Sequence, residues 1–297
     1  KYYPAPNSAG DNASHVNNYI FPSRWIADMN GWTGRMDYAI NSKNNFYFKY
    51  GENPYEEYRS LVFVTDISQK NPAEPSGNSP LRRNGRIWIG DWTSTLTPRM
   101  TLDLRFGLSR WEYTGGSTMG AGYDPRQLGF ADSLVAQFRV LQFPQMGLGS
   151  YQGVGSSVQN YGSQDTYSLQ PNMNFISGKH LMKWGVEARQ YKQNDVNPGS
   201  ASGTYQFNKV WTQLDAFRGD ATSGNEVASF LLGYPASGSV DNNFAPTWLH
   251  RYYALFFNDD YKVSSRLTVN LGMRWDYETP NYERFDRMVR GLDTTVA

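Results

Sequence analysis

The residues of this sequence that could carry out acid–base, metal or nucleophilic chemistry are few and scattered. There are three histidines, His15, His180 and His250, and no cysteine. Metal sites use closely grouped histidine, cysteine and carboxylate ligands, and these histidines lack that spacing. We therefore interpret them as rim or turn residues, and the lack of cysteine excludes disulfide bonds.

The remaining candidate motifs for chemistry are weak. Asp259 and Asp260 could form a general acid and base pair, although polar residues closing a strand are the favoured interpretation. Asp241 and its amide neighbours could bind calcium, but EF-hand spacing is missing. Gly147-Leu-Gly149 and Gly153-Val-Gly155 lack the Lys-Ser/Thr and the strand–helix context of a phosphate loop. With no supported Ser-His-Asp grouping either, the sequence predicts no enzyme, no cofactor and no metal site.

Composition points instead to a scaffold of strands that would position binding residues. Of 297 residues, 15% are aromatic and 28 are glycine, and the net charge of +1 gives no indication of nucleic-acid binding. A mean hydropathy of −0.63 and the absence of an apolar run near about 18 residues argue against a transmembrane helix. A transmembrane barrel stays possible, because its polar lumen and loops offset the lipid face in any average.

The stretch RLTVNLGMRWDYE (266–278) alternates strictly between apolar and polar residues. Successive side chains of a strand point to opposite faces, so one face here is apolar and the other is wet. The apolar face could meet a protein interior or lipid. We interpret it as lipid-facing, with the following residues in contact with the bilayer: Leu267, Val269, Leu271 and Met273.

Similar alternation begins at residues 45, 100 and 180, and in each stretch a glycine falls on the wet face. We read these stretches as a repeated strand type in which small residues let another chain approach the wall. The predicted lumen-facing residues are Gly107, Gly185, Gly272 and Arg274, with Gly51 as the matching glycine of the first stretch. Other charges predicted to point into the lumen, mainly as ion pairs, are Asp103, Arg105, Lys183, Glu187, Arg189 and Asp276.

Each of these strands follows a partner strand across a tight turn, which predicts four hairpins. The partners are 32–40, 87–96, 166–175 and 252–263. The hairpins are joined by long connections at 53–84, 115–162 and 194–246, and structureless connections of that size argue against a compact soluble domain. Short turns on one side and long loops on the other are typical of outer-membrane barrels.

Aromatic residues and one helical motif complete the pattern. Ser223 to Glu226 predicts a capping box that opens a short helix over 227–233. Rings near the far strand ends predict an interfacial girdle, and a phase slip before two of them predicts β-bulges. The girdle comprises Trp111, Tyr113, Tyr191, Trp275 and Tyr277, and the loop residues proposed to contact substrate are Tyr151, Tyr161 and Trp211.

The segment 252–287 closely resembles a barrel segment of TonB-dependent outer-membrane receptors, and most nearly the Oar-like group, whose members carry a carboxypeptidase-regulatory-like domain. The resemblance rests on an aromatic strand ending in Asp259-Asp260, a short turn, then Leu-Thr-x-Asn-Leu-Gly-x-Arg. Segments 35–51, 122–130 and 225–235 also look like this group. These are barrel signatures, so they indicate the scaffold better than the cargo.

This resemblance implies an antiparallel barrel of about 22 strands filled by a plug, on which the TonB complex pulls. We expect residues 1–297 to form one partial barrel region without the plug or the regulatory-like domain, since Asp293–Ala297 does not resemble a barrel terminus. Expected partners are the outer-membrane bilayer, the plug, TonB through the plug, and a siderophore, saccharide or peptide cargo, with no nucleic acid. The expected location is the Gram-negative outer membrane.

Two alternatives stay open at this point. Eight strands can close into a small barrel around a lumen filled by side chains, which would serve a structural or adhesive role. A soluble sandwich or carbohydrate-binding module would bury the apolar faces between two sheets. A stop codon soon after Ala297 would support the small barrel, and the soluble module predicts that the purified chain stays in solution without detergent.

Overall fold

The computed structural model describes residues 2–11, 13, 15–22, 25–58, 67, 80–215, 217–219 and 222–288, so the predictions about 59–66, 68–79 and Asp293–Ala297 lie outside the described residues. Strands dominate it. They are β1 (Ile26–Met29), β2 (Trp32–Asn41), β3 (Asn44–Tyr58), β4 (Pro80–Thr97), β5 (Met100–Gly115), β6 (Gln145–Leu148), β7 (Tyr151–Val154), β8 (Asn160–Ser177), β9 (His180–Val196), β10 (Thr204–Gln206), β11 (Ser237–Ser239), β12 (Thr247–Lys262), β13 (Thr268–Glu278) and β14 (Tyr282–Glu283).

The long strands form an antiparallel meander. The ten-stranded sheet runs β1-β3-β4-β5-β8-β9-β12-β13, with β2 paired to β3 and β14 paired to β12. All four predicted hairpins are confirmed: β2–β3, β4–β5, β8–β9 and β12–β13. Among the described strands the path is open, because β13 ends it without pairing to β1 or β2. The described strands thus form an all-β wall section and not a closed eight-stranded barrel.

The register sorts the side chains into two faces. One face carries Leu104, Val186, Leu255 and Trp275 in one cross-strand row, and we call it the apolar face. The opposite face carries Arg105 and the predicted glycines, and we call it the polar face. Leu271 and Met273 on the apolar face are 62% and 75% exposed, so no second sheet covers them as a sandwich would require.

The strands are longer than a membrane crossing needs. On β5 the apolar face runs from Met100 to Leu108 and then changes to Arg110 and Glu112. That apolar length matches the roughly 9–11 residues of a transmembrane strand. Both β4 and β8 have 18 residues, so they continue well beyond the apolar band on the side of the long connections.

The predicted bulges near Trp111 and Tyr191 are wrong. Strands β5 and β8 pair without a register shift from Met100 to Gly115, and β9 pairs with β12 without a shift through Tyr191. Uninterrupted alternation places Trp111, Tyr113 and Tyr191 on the polar face with Gly107 and Gly185, away from the predicted girdle. Trp275 and Tyr277 do lie on the apolar face, with their rings stacked 6.0 Å apart.

Gly51, Gly162 and Gly185 on the polar face are covered by the sheet's own side chains. An added Cβ at Gly185 would lie 2.6 Å from the Phe256 ring. An added Cβ at Gly162 would lie equally close to the Tyr113 ring, whose hydroxyl reaches across to donate to Asp195 at 2.8 Å. Ile87 lies over Gly51 in the same way, which explains why an isoleucine interrupts the alternation there. We infer that these glycines make room for large cross-strand neighbours.

Contrary to expectation, the described parts of the connections 115–162 and 194–246 are not structureless. A second sheet of order β11-β10-β6-β7 packs with the helix α1 (Asp132–Val135), the helix α2 (Glu226–Leu231) and the 3₁₀ turns Pro125–Leu128 and Lys209–Trp211. We call this unit the loop module. Its buried hydrophobic cluster consists of Ile67, Phe143, Met146, Leu148, Val154 and Phe207. Apolar side chains spaced along polar connections thus build a small core.

Helix α2 confirms the predicted helix but not its predicted cap. Asn225 Oδ1, rather than the Ser223 hydroxyl, accepts from the amides of Val227 and Ala228. The Glu226 carboxylate accepts from the Ser150 amide at 3.0 Å and joins the helix to the β6–β7 turn. Within the described ranges, no helix combines the length and the apolar character that a membrane span requires.

A buried carboxylate fixes the chain where it leaves the sheet. Glu283 accepts from the amides of Thr247, Phe285 and Arg287, and it pairs with the Arg287 guanidinium at 2.7 Å. The hydrogen bond from Arg287 is the main reason that the pKa of Glu283 falls from 4.5 to about 2. A pKa lowered by folding stabilises the fold above the unfolded value, and this contribution disappears as the pH falls through the folded value.

We therefore expect segment 283–287 to detach from β12 between about pH 4.5 and pH 2. In hydrogen exchange at pH 6, Glu283→Gln should speed exchange at Phe285 and Arg287 relative to the unmodified protein. Near pH 2 the two proteins should exchange alike. Equal protection at pH 6 would contradict this role of the carboxylate.

Candidate functional site

The upper polar face carries two rows of amides and aromatic rings. One cross-strand row contains Trp111, Gln164, Gln193 and Trp248. The next row contains Thr166, Tyr191 and His250. We call these seven residues the amide–aromatic surface. Its strands β5, β8, β9 and β12 hold it through continuous ladders, so its side chains stand on rigid backbone.

A cavity of about 390 Å³ opens on this surface. Its polar-face lining comprises Gln164, Thr166, Tyr191, Gln193, Trp248 and His250, with Asn281 at one end. The His250 ring stacks on Tyr191 with centroids 4.4 Å apart, and its Nε2 lies 3.3 Å from Glu278.

The hydrogen-bonding groups of this cavity are available. Within the described part of the chain, the side chains of Gln164, Gln193 and Asn281 and the Trp248 indole N–H make no hydrogen bond. Each amide offers two donors and an acceptor, and the indole offers a donor. Flat rings beside free amides suit a ligand with both apolar faces and hydroxyl or amide edges.

Ion pairs lie next to this surface, toward the short turns. Arg274 lies 3.2 Å from Glu187 and 3.0 Å from Asp276, and Arg189 also pairs with Glu187. In a second cluster, Arg105 donates to the buried Asp91 at 2.7 Å. The predicted shared face of these charges matches the register, and the predicted pairing holds for Glu187, Arg189 and Asp276 with Arg274. Asp103 instead accepts from Thr93. Paired charges are poor sites for an ionic ligand, which would have to displace a partner.

The loop module contains an apolar cavity of about 450 Å³. Its lining includes Phe130, Phe143, Tyr205 and Phe230. Tyr2 closes one side, with its ring centroid 4.8 Å from that of Phe143. Burial raises the pKa of the Tyr205 hydroxyl, which is buried and has no partner among the described residues.

The residues predicted to contact substrate are separated in the structure. Tyr151 lies in β7 and Trp211 in a 3₁₀ turn of the loop module, at 50% and 55% exposure. Tyr161 belongs to β8 rather than to a loop, and it pairs with Thr114 on the apolar-face side. The structure does not bring the three together, so they form no single site.

The weak catalytic and metal candidates also separate. Asp259 and Asp260 point to opposite faces, and Asp259 pairs with His180 at 2.7 Å on the apolar side. Asp241 accepts from the Ser200 amide at 2.7 Å as part of a loop contact. In the described residues no group of three or more His, Asp or Glu side chains has a metal-binding arrangement.

Sequence reasoning missed the amide–aromatic surface because its members come from four strands far apart in sequence. Gln164 and Gln193 meet through the β8–β9 register, and Trp248 joins them through β12. Assigning Trp111 and Tyr191 to the face that uninterrupted alternation gives them would have indicated that rings line the polar face. Unbroken alternation through Gly107 and Gly185 was the available signal.

Comparison with known proteins gives a family and a fold. Residues 1–297 match the family described as an outer membrane beta barrel domain. No curated protein matches the chain. The chain is similar to the outer membrane transporter YddB from Escherichia coli, at 8% identity and a TM-score of 0.50, over 87% of this chain and 29% of that one.

Two further solved structures are similar at lower scores. For FpvA of P. aeruginosa bound to heterologous pyoverdines, identity is 10% and the TM-score 0.47, over 88% of this chain and 32% of that one. For BauA, the ferric preacinetobactin receptor from Acinetobacter baumannii, identity is 10% and the TM-score 0.40, over 87% of this chain and 36% of that one. The chain thus spans about a third of the length of these proteins.

Proposed function

Because this chain belongs to the outer membrane β-barrel domain family, we propose that it forms part of the wall and the external loops of a TonB-dependent receptor that imports a nutrient. The family places the chain in the Gram-negative outer membrane and is not an enzyme family. The observation that carries the proposal is the open meander of long strands with short turns on one side and a folded loop module on the other.

In this proposal the apolar face meets lipid and the polar face lines the lumen. Leu267, Val269, Leu271 and Met273 contact the bilayer, and Gly107, Gly185, Gly272 and Arg274 face inward. Of the two predicted girdle rings on this strand, Tyr277 lies toward the outer interface, and Trp275, in the row of Val186, lies within the band. Residues 1–297 form one wall region of a longer protein whose plug and TonB partner lie elsewhere. The Oar-like subgroup is proposed from the motifs of 252–287 and 225–235.

The contacts favour a neutral, hydroxyl-rich cargo such as an oligosaccharide. The amide–aromatic surface offers free amides, an indole donor and ring faces. The two charged residues that also line its cavity, Asp165 and Lys192, pair with each other across the strands on the opposite face of the sheet. An anionic ferric chelate would instead need unpaired cations, and Arg189 and Arg274 are already paired with acids. Tyr151 and Trp211 are proposed as first contacts, since binding residues concentrate on loops held by a rigid scaffold.

Binding by the complete purified receptor tests the cargo assignment. Trp248→Ala and Gln193→Ala should each weaken neutral oligosaccharide binding by about tenfold, because each removes a ring face or an amide from the cavity. Trp275→Ala, which removes an indole from the apolar face, should leave the affinity unchanged. Isothermal titration against an oligosaccharide panel and a ferric chelate measures this.

Uptake tests the import role separately. Cells that carry the receptor should accumulate labelled cargo, and a protonophore should abolish the accumulation. Binding of ferric chelate without oligosaccharide binding would overturn the cargo class and leave import intact. Uptake that is insensitive to the protonophore would overturn the energised mechanism.

A further inference from the structure

A row of charges continues the apolar-face side directly beyond its last apolar residues. Its acids are Glu52, Glu112 and Asp165, and its bases are Arg86, Arg110, Lys192, Arg251 and Arg284. We call it the outer charge belt. Because it follows Leu108 and Tyr167 on the same face, it lies level with membrane headgroups when that face meets lipid.

The belt is balanced over β3 to β8. Arg86 lies 2.8 Å from both Glu52 and Glu112. Arg110 lies 2.9 Å from Glu112 and 3.5 Å from Asp165. Every base in this half thus has an acid beside it.

The belt carries an excess of cations over β9 to β14. Lys192 has a long 3.9 Å contact with Asp165. Arg251 and Arg284 are exposed, and within the described ranges neither guanidinium has an ion-pair partner. Three neighbouring cations therefore share one distant carboxylate, and an anion from outside the chain would relieve their mutual repulsion.

These cations line a groove that continues into the apolar face. The upper part, of about 420 Å³, is lined by Lys192, Arg251 and Arg284 together with Tyr167, Gln190 and Leu249. The lower part, of about 260 Å³, shares Tyr167, Gln190 and Arg251 and adds Phe106, Leu169, Ala188 and Tyr253. One continuous groove is cationic above and apolar below.

We propose that this groove binds a phosphorylated glycolipid of the outer leaflet, with its phosphate between Lys192, Arg251 and Arg284 and an acyl chain along Leu169 and Ala188. The charge complements a phosphate, and the apolar part complements a chain. Free phosphate would occupy the upper part alone. A zwitterionic lipid would leave the excess cations unneutralised.

The test uses the complete receptor in phosphatidylethanolamine nanodiscs, with purified lipopolysaccharide or its dephosphorylated form as the added probe. Bound lipid is counted by native mass spectrometry. Each of Lys192→Gln, Arg251→Gln and Arg284→Gln should weaken lipopolysaccharide binding by about fivefold, the effect of one cation at a charged membrane surface. Lys183→Gln, which changes a lysine of the same strand on the polar face, should have no effect.

The outcomes separate the possible ligands. Loss of binding on dephosphorylation, together with sensitivity to the three variants, supports the proposal. Equal binding of both lipid forms, or equal binding by all variants, overturns it. Competition by millimolar inorganic phosphate without lipid dependence would make the groove a free phosphate site and would also overturn it.

Discussion

Arginine in place of Val186 is expected to destabilise the protein by about 2–4 kcal/mol in bilayers, the cost of a lipid-facing cation at the membrane midplane. Val186 is 51% exposed on the apolar face. It shares its row with Leu104 and Leu255, midway along the apolar band. A buried charge there has no partner in hydrocarbon. The free energy of unfolding from phospholipid bilayers, measured in urea with the complete protein, gives the cost.

Two further arginine variants calibrate depth and face. Leu271 lies near the short turn directly opposite Asp259, so Leu271→Arg should cost about 0–1 kcal/mol. Asn270→Arg, on the polar face beside it, should change stability by less than about 0.5 kcal/mol. Equal costs at Val186 and Asn270 would show that the apolar face does not meet lipid.

Valine in place of Gly185 is expected to cost about 1–3 kcal/mol through overpacking. An added Cβ would meet the Asn172 side-chain oxygen, the Phe256 ring at 2.6 Å and the Pro171 carbonyl oxygen at 3.0 Å. The ring can move only by losing its cross-strand position, and the Pro171 oxygen is a backbone atom between the paired residues Leu169 and Asn172, so it yields less readily than a side chain. Urea unfolding of the same protein measures the loss.

Gly85 provides the matched control. It lies on the polar face beside Trp111, and an added Cβ there meets nothing within 4 Å. Gly85→Val should therefore be neutral or slightly stabilising, since valine favours strands. A double-mutant cycle between Gly185→Val and Phe256→Ala should show coupling of at least about 0.5 kcal/mol. Additive effects would show that the Phe256 ring does not cause the loss of stability in Gly185→Val.

Much of the fold could be predicted from the sequence because alternation is a local property. The strict pattern at 266–278 and the short turns defined four hairpins and two faces. The polarity of a residue did not predict its face where an aromatic ring or an isoleucine lies on the polar face. Tyr113 and Ile87 lie there because glycines on the neighbouring strand leave space for them.

The binding surfaces could not be predicted, because they depend on which residues face each other across strands. Arg251 and Arg284 line one groove because the pairing of β14 with β12 is shifted by one residue relative to the pairing of β13 with β12. The register of that pairing cannot be derived from the sequence of one chain. The folding of the connections was missed as well, since Phe143, Met146 and Phe207 are too far apart to reveal a common core.

The 18-residue length of β8 also determines which part of this protein external proteases can cut. Residues 160–166 continue above the apolar band by roughly 20 Å at about 3.3 Å per residue. Both neighbours stay hydrogen-bonded to β8 there. A protease must bind a flexible, unpaired segment in its cleft. Secreted proteases should therefore leave residues 160–166 intact and cut in the connections beyond the strand ends.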